Sequence, residues 1–376
     1  MAEAGQARPP RVAVIGGGIA GCAAAAALAG NGLEVLLLEA GHHLGGVAVQ
    51  AEHRTLCGLA PIDAPAPELL EPALVAGWLP YLANGPAHRR GRVWLWPTSA
   101  ATLQAGLARR LAACAVAVNK GWWVNDVECG AAGTISALQV SAGGAPLKIA
   151  VAAVIDASGR GVSAERLGHA VAPPLQWPAH RSVLRLPPAT AAQLSERAGR
   201  QTLFARIQAS GAATGAIDLT PIDQAAGLWQ LSLDVPPGSA MAVADASATA
   251  AAAALGAELV ACACALGVRD AGRPLGALTL EQLFAGVARG LCWAAWPAEV
   301  HRQGGVDWRW PARARYGVPA AAARLPGGPA NLWLIGKGMA VAPEAAAALR
   351  VTGTCLALGA AVAGEVVAAL AGAPPG

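Results

Sequence analysis

Residues 11–40 read RVAVIGGGIAGCAAAAALAGNGLEVLLLEA, and this stretch decides the fold. Val12–Ile15 is a short apolar strand. Gly16, Gly18 and Gly21 follow it as G-x-G-x-x-G. The alanine run Ala23–Ala29 has a helix-forming composition, Gly30–Gly32 ends the helix, and Glu34–Leu38 is a second strand closed by Glu39. Each part has a physical task. Gly16 permits a tight turn, Gly18 lets a pyrophosphate approach the backbone, and Gly21 lets the helix pack closely on the strand. The helix start, with Ile19 and Ala20, offers N–H groups and a positive dipole end to phosphates. Glu39, followed by Ala40, can accept hydrogen bonds from ribose hydroxyls. The segment is a dinucleotide site that leaves FAD and NAD both open.

Three later segments decide for FAD. Gly45 and Gly46, just before Val47, let the chain pass close to a ribityl chain and pyrophosphate. A buried strand, Ile149–Ile155, ends in Asp156-Ala157-Ser158-Gly159, with small residues where backbone meets cofactor. Strand Leu332–Ile335 runs into Gly336 and Lys337, a loop follows, and a helix begins near Arg350. Together these resemble the FAD-dependent oxidoreductases with a glutathione-reductase-type flavin domain. More narrowly they resemble a bacterial subfamily whose C-terminal motif reads N-L-x-x-x-G-R/K, a loop, then R-V-x-x-T-C-x-x-x-G. Here the matching residues are Asn331-Leu332, Gly336-Lys337, Arg350-Val351, Thr354-Cys355 and Gly359. That subfamily also carries P-x-D/E-x-H/W ahead of Y-x-x-P, matched by Pro297, Glu299, His301 and then Tyr316–Pro319. The likeness covers both ends and the middle flavin segment and is weak from about 171 to 285. It departs at Lys337, where many members have arginine; a point ammonium cannot make arginine's two-pronged contacts.

The resemblance implies an α/β protein. A Rossmann-like FAD-binding domain, with a parallel sheet plus a β-meander, would comprise residues 1–60, 92–170 and 311–376. An inserted α+β substrate or cap domain would comprise 61–91 and 171–310. The proline-rich stretch 61–91 reads as loop with one short helix. The runs Ala244–Gly267 and Leu278–Trp296 read as helices by length and period. The resemblance also places Val124 near the adenine and aims the helix after Val351, through Thr354, at the pyrimidine end of the flavin; Arg350 either adds positive charge there or only forms a surface salt bridge. Trp122 and Trp123 read as packing residues.

Composition narrows the class. The chain of 376 residues is long enough for two domains. Its formal charge of +4 is dispersed, so no nucleic-acid partner is expected. Twelve Trp stand beside two Tyr and two Phe, and lysine occurs only at Lys120, Lys148 and Lys337; with arginine abundant, this pattern follows GC-rich codons. Eight scattered cysteines do not form a disulfide framework. Cys262 and Cys264 form C-x-C, expected on an alanine-rich helix, which is wrong for a redox or zinc motif, so no metal is expected. No transmembrane segment is expected, and the cytoplasm is the expected location: the run Ala246–Val268 is mostly alanine and carries Glu258.

The chemistry implied is hydride transfer from an organic substrate C–H to flavin N5, of dehydrogenase or oxidase type. Glu299 and His301 are either the acid/base pair or a structural hydrogen-bond pair at the domain junction, with Lys337 facing flavin or substrate and His53 either touching one of them or only packing. His180 and Arg181, which could bind a substrate carboxylate, read instead as ordinary polar residues at a strand start. The segment EHRTLCGL holds His53 and Cys57 and is similar to the S-H-T-x-x-A-x-G-G segment of fumarate reductase and succinate dehydrogenase flavoproteins, whose histidine bonds to the flavin. Noncovalent FAD is the expected form, with a covalent link at His53 or Cys57 as the alternative. Two other functions stay open: a single-component flavin monooxygenase using NAD(P)H and oxygen, and a flavoprotein acting on a partner protein in a maturation pathway.

Overall fold

The computed structural model describes residues 11–372 apart from 132, 173–175, 270–272 and 275. The fingerprint forms as read. Strand β1 (Arg11–Ile15) leads into helix α1 (Ile19–Gly30) and strand β2 (Glu34–Glu39). Helix α2 (Ala100–Ala113) and strand β3 (Ala117–Lys120) follow the proline-rich stretch. Strands β4 (Trp123–Cys129), β5 (Ile135–Ser141) and β6 (Leu147–Ala150) are an antiparallel meander, and β7 (Ala153–Asp156) returns to the main sheet. The expected single strand Ile149–Ile155 is therefore two strands, split where the chain passes from meander to parallel sheet.

The second sheet contains β8 (Ala179–Arg185), β9 (Ile217–Asp223) and β10 (Leu228–Asp234), with helix α3 (Met241–Leu255) and edge strand β11 (Glu258–Cys262). A hairpin, β12 (Ala298–Arg302) with β13 (Gly305–Arg309), leads back to β14 (Leu332–Leu334) and the final helix α4 (Thr352–Leu370). The parallel sheet has order β14-β7-β1-β2-β3. One face packs on α1, α2 and α4; the other packs on the meander through Ala13, Ile15, Leu38 and Leu138. This is a mixed α/β fold in which a sheet buried on both faces reads as continuous apolar strands.

Close packing of α1 on α4 rests on small side chains. A Cβ on Gly359 would lie 2.2 Å from the Ala20 carbonyl oxygen. Helix α4 is long and apolar enough to cross a membrane, but 56% of its apolar window is buried inside the fold. Val75, Trp78 and Leu82, from a helical run within 72–82, and Leu280, Leu283 and Ala298 join the same core as α1 and α4.

Several local expectations change. The run Ala244–Gly267 is not one helix: α3 stops at Leu255, Gly256 takes φ +63°, and the chain turns back as β11 beside β8. Cys262 and Cys264 thus lie at the end of an edge strand, not on a helix. The run Leu278–Trp296 is helical only over Leu280–Phe284 and then forms the strand Cys292–Ala294. The loop after Lys337 contains a helix, Pro343–Leu349. Trp123 is 57% exposed rather than packed.

Candidate active site

A cleft of about 1700 Å³ opens between the C-terminal ends of β1, β2, β7 and β14 and the inner face of the second sheet. Such strand ends are where open α/β sheets bind ligands. Gly16 takes φ +100°, and a Cβ there would strike the Ala157 carbonyl oxygen at 2.7 Å. A Cβ on Gly21 would lie 2.0 Å from the Gly16 carbonyl oxygen, so this glycine serves the loop–helix contact. Gly18 differs: a Cβ there would meet nothing within 4 Å, because it faces the open cleft.

The Gly16–Gly18 turn and the Gly45–Gly46 turn are tied by backbone. Gly45 N–H donates to the Gly17 carbonyl at 2.8 Å, and Gly18 bridges Gly45 in parallel. The Glu39 carboxylate accepts from the Gly17 and Gly41 N–H groups, each at 2.6 Å, and still lines the cleft. No side chain caps the start of α1, so its first N–H groups keep their capacity for an anion. An uncapped 12-residue helix, a glycine open to the cleft and a fixed carboxylate fit a dinucleotide such as FAD.

The expected cofactor residues divide. Gly16, Gly18, Ile19, Ala20, Glu39, Gly45, Gly46 and Val47 line the cleft from one side. Ala157, Ser158, Gly159, Gly336, Lys337, Arg350 and Val351 line it from the other. Gly21, Ala40, Val124, Asp156 and Thr354 do not reach its wall. Val124 packs in the cluster that contains Ile15 and Leu38. Asp156 is buried, and its carboxylate accepts from Ser158 N–H at 2.9 Å, Ser163 N–H at 2.7 Å and Ser163 Oγ at 2.6 Å. It shapes the turn that presents Ala157–Gly159.

The segment with His53 and Cys57 lies along the cleft. Cys57 is docked on the start of α4: its N–H donates to Thr352 Oγ1 at 2.9 Å, and its carbonyl accepts from Gly353 N–H at 2.7 Å. Burial, reinforced by Glu299, pushes the Cys57 thiol up to about 11 despite the opposing pull of Thr352 and Arg350. His53 is driven the other way. Burial and the charges of Arg181, Arg269, Arg350 and Lys337 hold it well below the ordinary imidazole value. A neutral thiol and a neutral imidazole therefore face the cofactor region at neutral pH.

Opposite them is a chain of ionisable groups. His301 Nδ1 lies 2.6 Å from Asp234 Oδ2, and His301 Nε2 lies 3.5 Å from Glu299 Oε1. Asp234 Oδ1 pairs with Arg269 at 2.8 Å. Asp234, Arg269, Glu299 and His301 all line the cleft. Burial alone would raise Glu299, but His301, Arg350 and Arg269 outweigh it and hold the carboxyl at about 2. Arg350 donates to the Glu299 carbonyl at 2.8 Å, and Lys337 donates to the Val268 carbonyl at 3.0 Å.

The sequence reading singled out Glu299 and His301 but not Asp234 and Arg269, which the structure brings beside them. Asp234 stood only as the last residue of an ordinary strand, and nothing local ties it to a histidine 67 positions on. His180 is fully buried and hydrogen-bonded to Asp245 at 2.8 Å, while Arg181 lines the cleft. With Cys262, His180 and Asp245 form a cluster whose ligand atoms lie within 4.8 Å of one another, on the far side of β8 from the cleft lining.

Residues 11–177 and 240–373 match the model of the FAD dependent oxidoreductase family. The chain belongs to that family, and it is an FAD-dependent oxidoreductase enzyme. No curated protein sequence matches it. Among solved structures, its fold is similar to the anhydrotetracycline hydroxylase OxyS from Streptomyces rimosus, at 14% identity and TM-score 0.56, covering 98% of this chain and 64% of that one. It is also similar to a flavoprotein/dehydrogenase from Cytophaga hutchinsonii, at 15% identity and TM-score 0.51, covering 97% and 79%. A geranylgeranyl bacteriochlorophyll reductase-like protein from Thermoplasma acidophilum aligns at 12% identity and TM-score 0.51, covering 97% and 79%. At these identities the likeness is one of fold.

Proposed function

We propose that this enzyme oxidises an organic substrate at a C–H bond beside a hydroxyl or amine, holding FAD noncovalently. The observation that carries the reading is the Asp234–His301–Glu299 array on the cleft wall facing the cofactor loops. Bound FAD supplies the acceptor for the hydride. The chain's own residues handle the proton. Asp234 accepts Nδ1–H of His301, which leaves Nε2 as the atom that takes the proton from the substrate O–H or N–H. The Glu299 carboxylate, beside Nε2, neutralises the imidazolium that results. Arg269, paired with Asp234 at 2.8 Å, holds that carboxylate in place. The C–H electron pair leaves as hydride, the X–H bond loses its proton to His301, and a C=X double bond forms.

The cofactor would be held by the α1 start and Gly18 at its phosphates, by Glu39 at its ribose, and by Gly45, Gly46, Ala157–Gly159 and Gly336 along its length. The positive residues Arg350 and Lys337, with the α4 start, favour negative charge at the flavin end of the cleft. The test is anaerobic mixing of the holoenzyme with a panel of alcohols and amines, without NAD(P)H. Bleaching of the flavin band by a panel member supports the reading. Reduction by NADPH alone, with oxygen uptake matching NADPH consumed, would replace it with the monooxygenase reading. A co-purifying protein that alone supports flavin turnover would replace it with the maturation reading.

A further inference from the structure

Arg181 projects from β8 onto the cleft wall. One arm is fixed: Nη1 donates to the Ala51 carbonyl at 2.9 Å, and a Cβ added to Gly267 would lie 2.8 Å from that same nitrogen. The only hydrogen-bond acceptor it has among the described residues is therefore a neutral carbonyl. No carboxylate among them lies within ion-pairing distance; nearby Asp234 is taken by Arg269 and His301. Nε and Nη2 keep their donor capacity, and neither is sealed from the cleft as an orphaned atom. Burial and repulsion from Arg269 bring the guanidinium down to about 10, against the pull of Asp234, Glu299 and Asp218, so it stays cationic at neutral pH. A partly buried cation with no counter-ion among the described residues is costly, and supplying a partner stabilises it by more than at a surface pair. The free edge of a guanidinium, Nε with Nη2, matches the two oxygens of a carboxylate.

We propose that Arg181 binds a carboxylate of the substrate, so that the enzyme acts on organic acids. The proposal rests on the reading of the cleft as the site where substrate is oxidised. Cofactor phosphates would sit at the uncapped α1 start, an element separate from the sheet that carries Arg181. His53, neutral and on the same cleft, adds no competing charge.

The experiment is ligand binding to the holoenzyme, read by perturbation of the flavin absorption and by the shift in melting temperature. The probes are acetate, benzoate, 3-phenylpropionate and dodecanoate, each beside its amide, with inorganic phosphate and phenyl phosphate as the other anions. At least one carboxylate should bind ten-fold or more tighter than its amide. Arg181→Met should abolish that preference, Arg181→Lys should restore part of it, and both should keep full FAD content. Arg181→Met should also melt no lower than the wild type without ligand, because an uncompensated charge has gone. Equal binding of acids and amides, no binding by any carboxylate, tighter binding of the phosphates, loss of FAD from Arg181→Met, or marked destabilisation of that variant would each overturn the proposal. Binding is read without turnover, so carboxylate selectivity in an enzyme that fails to oxidise alcohols or amines would sink the proposed reaction and leave this assignment standing.

Discussion

His301 Nδ1 lies 2.6 Å from Asp234 Oδ2, and this contact joins the last residue of one strand to the middle of a hairpin. Asp234 is 3% and His301 6% exposed, so the pair is held in a low-dielectric wall where hydrogen bonds set the tautomer. If His301 takes the substrate proton, His301→Gln should lower the rate of anaerobic flavin reduction by about 10²-fold or more. FAD content should stay unchanged, since His301 is not among the residues that cradle a dinucleotide. Asp234→Asn should give a smaller loss of rate together with lower stability, because Arg269 is left without its carboxylate. Stopped-flow reduction and thermal melts of both variants check this.

Glu299 makes a prediction about acid stability. Its folded-state value of about 2 lies below the ordinary 4.5. A depressed carboxyl contributes stability that is fully present above the unfolded value and is lost as pH falls through the folded one. The gain is on the order of 3 kcal/mol at most, from about 1.4 kcal/mol per pKa unit. Glu299→Gln should therefore be less stable than wild type at pH 7. The gap should narrow steadily from pH 4.5 down to about pH 2. A gap that does not change with pH, measured by denaturant melts across that window, would show that the folded carboxyl is not depressed below its unfolded value.

What could be read from the sequence was what is local. Gly16, Gly18, Gly21 and Glu39 sit on one strand–helix–strand unit, so spacing alone carries their geometry. Asp156 read as a cofactor residue from its D-A-S-G context, whereas its three hydrogen bonds to Ser158 and Ser163 make it the residue that shapes the turn. The relay was half legible because Glu299 and His301 share one strand, whereas Asp234 and Arg269 arrive from other elements. The turn from α3 into β11 was overridden by alanine's helix propensity. The signal that marks it is Gly256 followed by the branched Val260, a C-terminal glycine and a strand edge. Arg181 looked ordinary because sequence cannot show that a charge has no carboxylate beside it among the described residues.

The cleft lining at His53 and Cys57 bears on how the flavin is held. Cys57 is a neutral thiol below about pH 11, tied to Thr352 and Gly353. His53 is neutral and flanked by four cations. FAD should be released into the supernatant when the holoenzyme is precipitated with acid, leaving colourless protein. Cys57→Ser should bind FAD with affinity within a few-fold of wild type. Iodoacetamide at pH 8 should modify exposed Cys129 and Cys262 well before Cys57, as peptide mass mapping would read. Yellow precipitate would instead place a covalent bond on one of these two side chains.

Gly18 and Gly21 separate cofactor binding from folding within a single turn of chain. A side chain at Gly21 would drive its Cβ to 2.0 Å from the Gly16 carbonyl oxygen, so Gly21→Ala must push the loop off the helix. Overpacking of this kind costs about 1–3 kcal/mol or more. The loss should appear in the apo-protein as well as the holo-protein. At Gly18 a Cβ meets nothing within 4 Å, and its backbone is at φ −69°. Gly18→Val should therefore leave the melting temperature of the apo-protein within a few degrees of wild type. Its side chain would stand in the space where a pyrophosphate approaches the α1 start, so FAD affinity should fall by more than about ten-fold, or roughly 1.4 kcal/mol. Melts of apo-protein and FAD titrations on both variants give four numbers. The pattern that sustains the cradle is stability lost at Gly21 and affinity lost at Gly18; an apo-protein equally damaged by both changes would make Gly18 a folding residue and remove the strongest local evidence for where the cofactor lies.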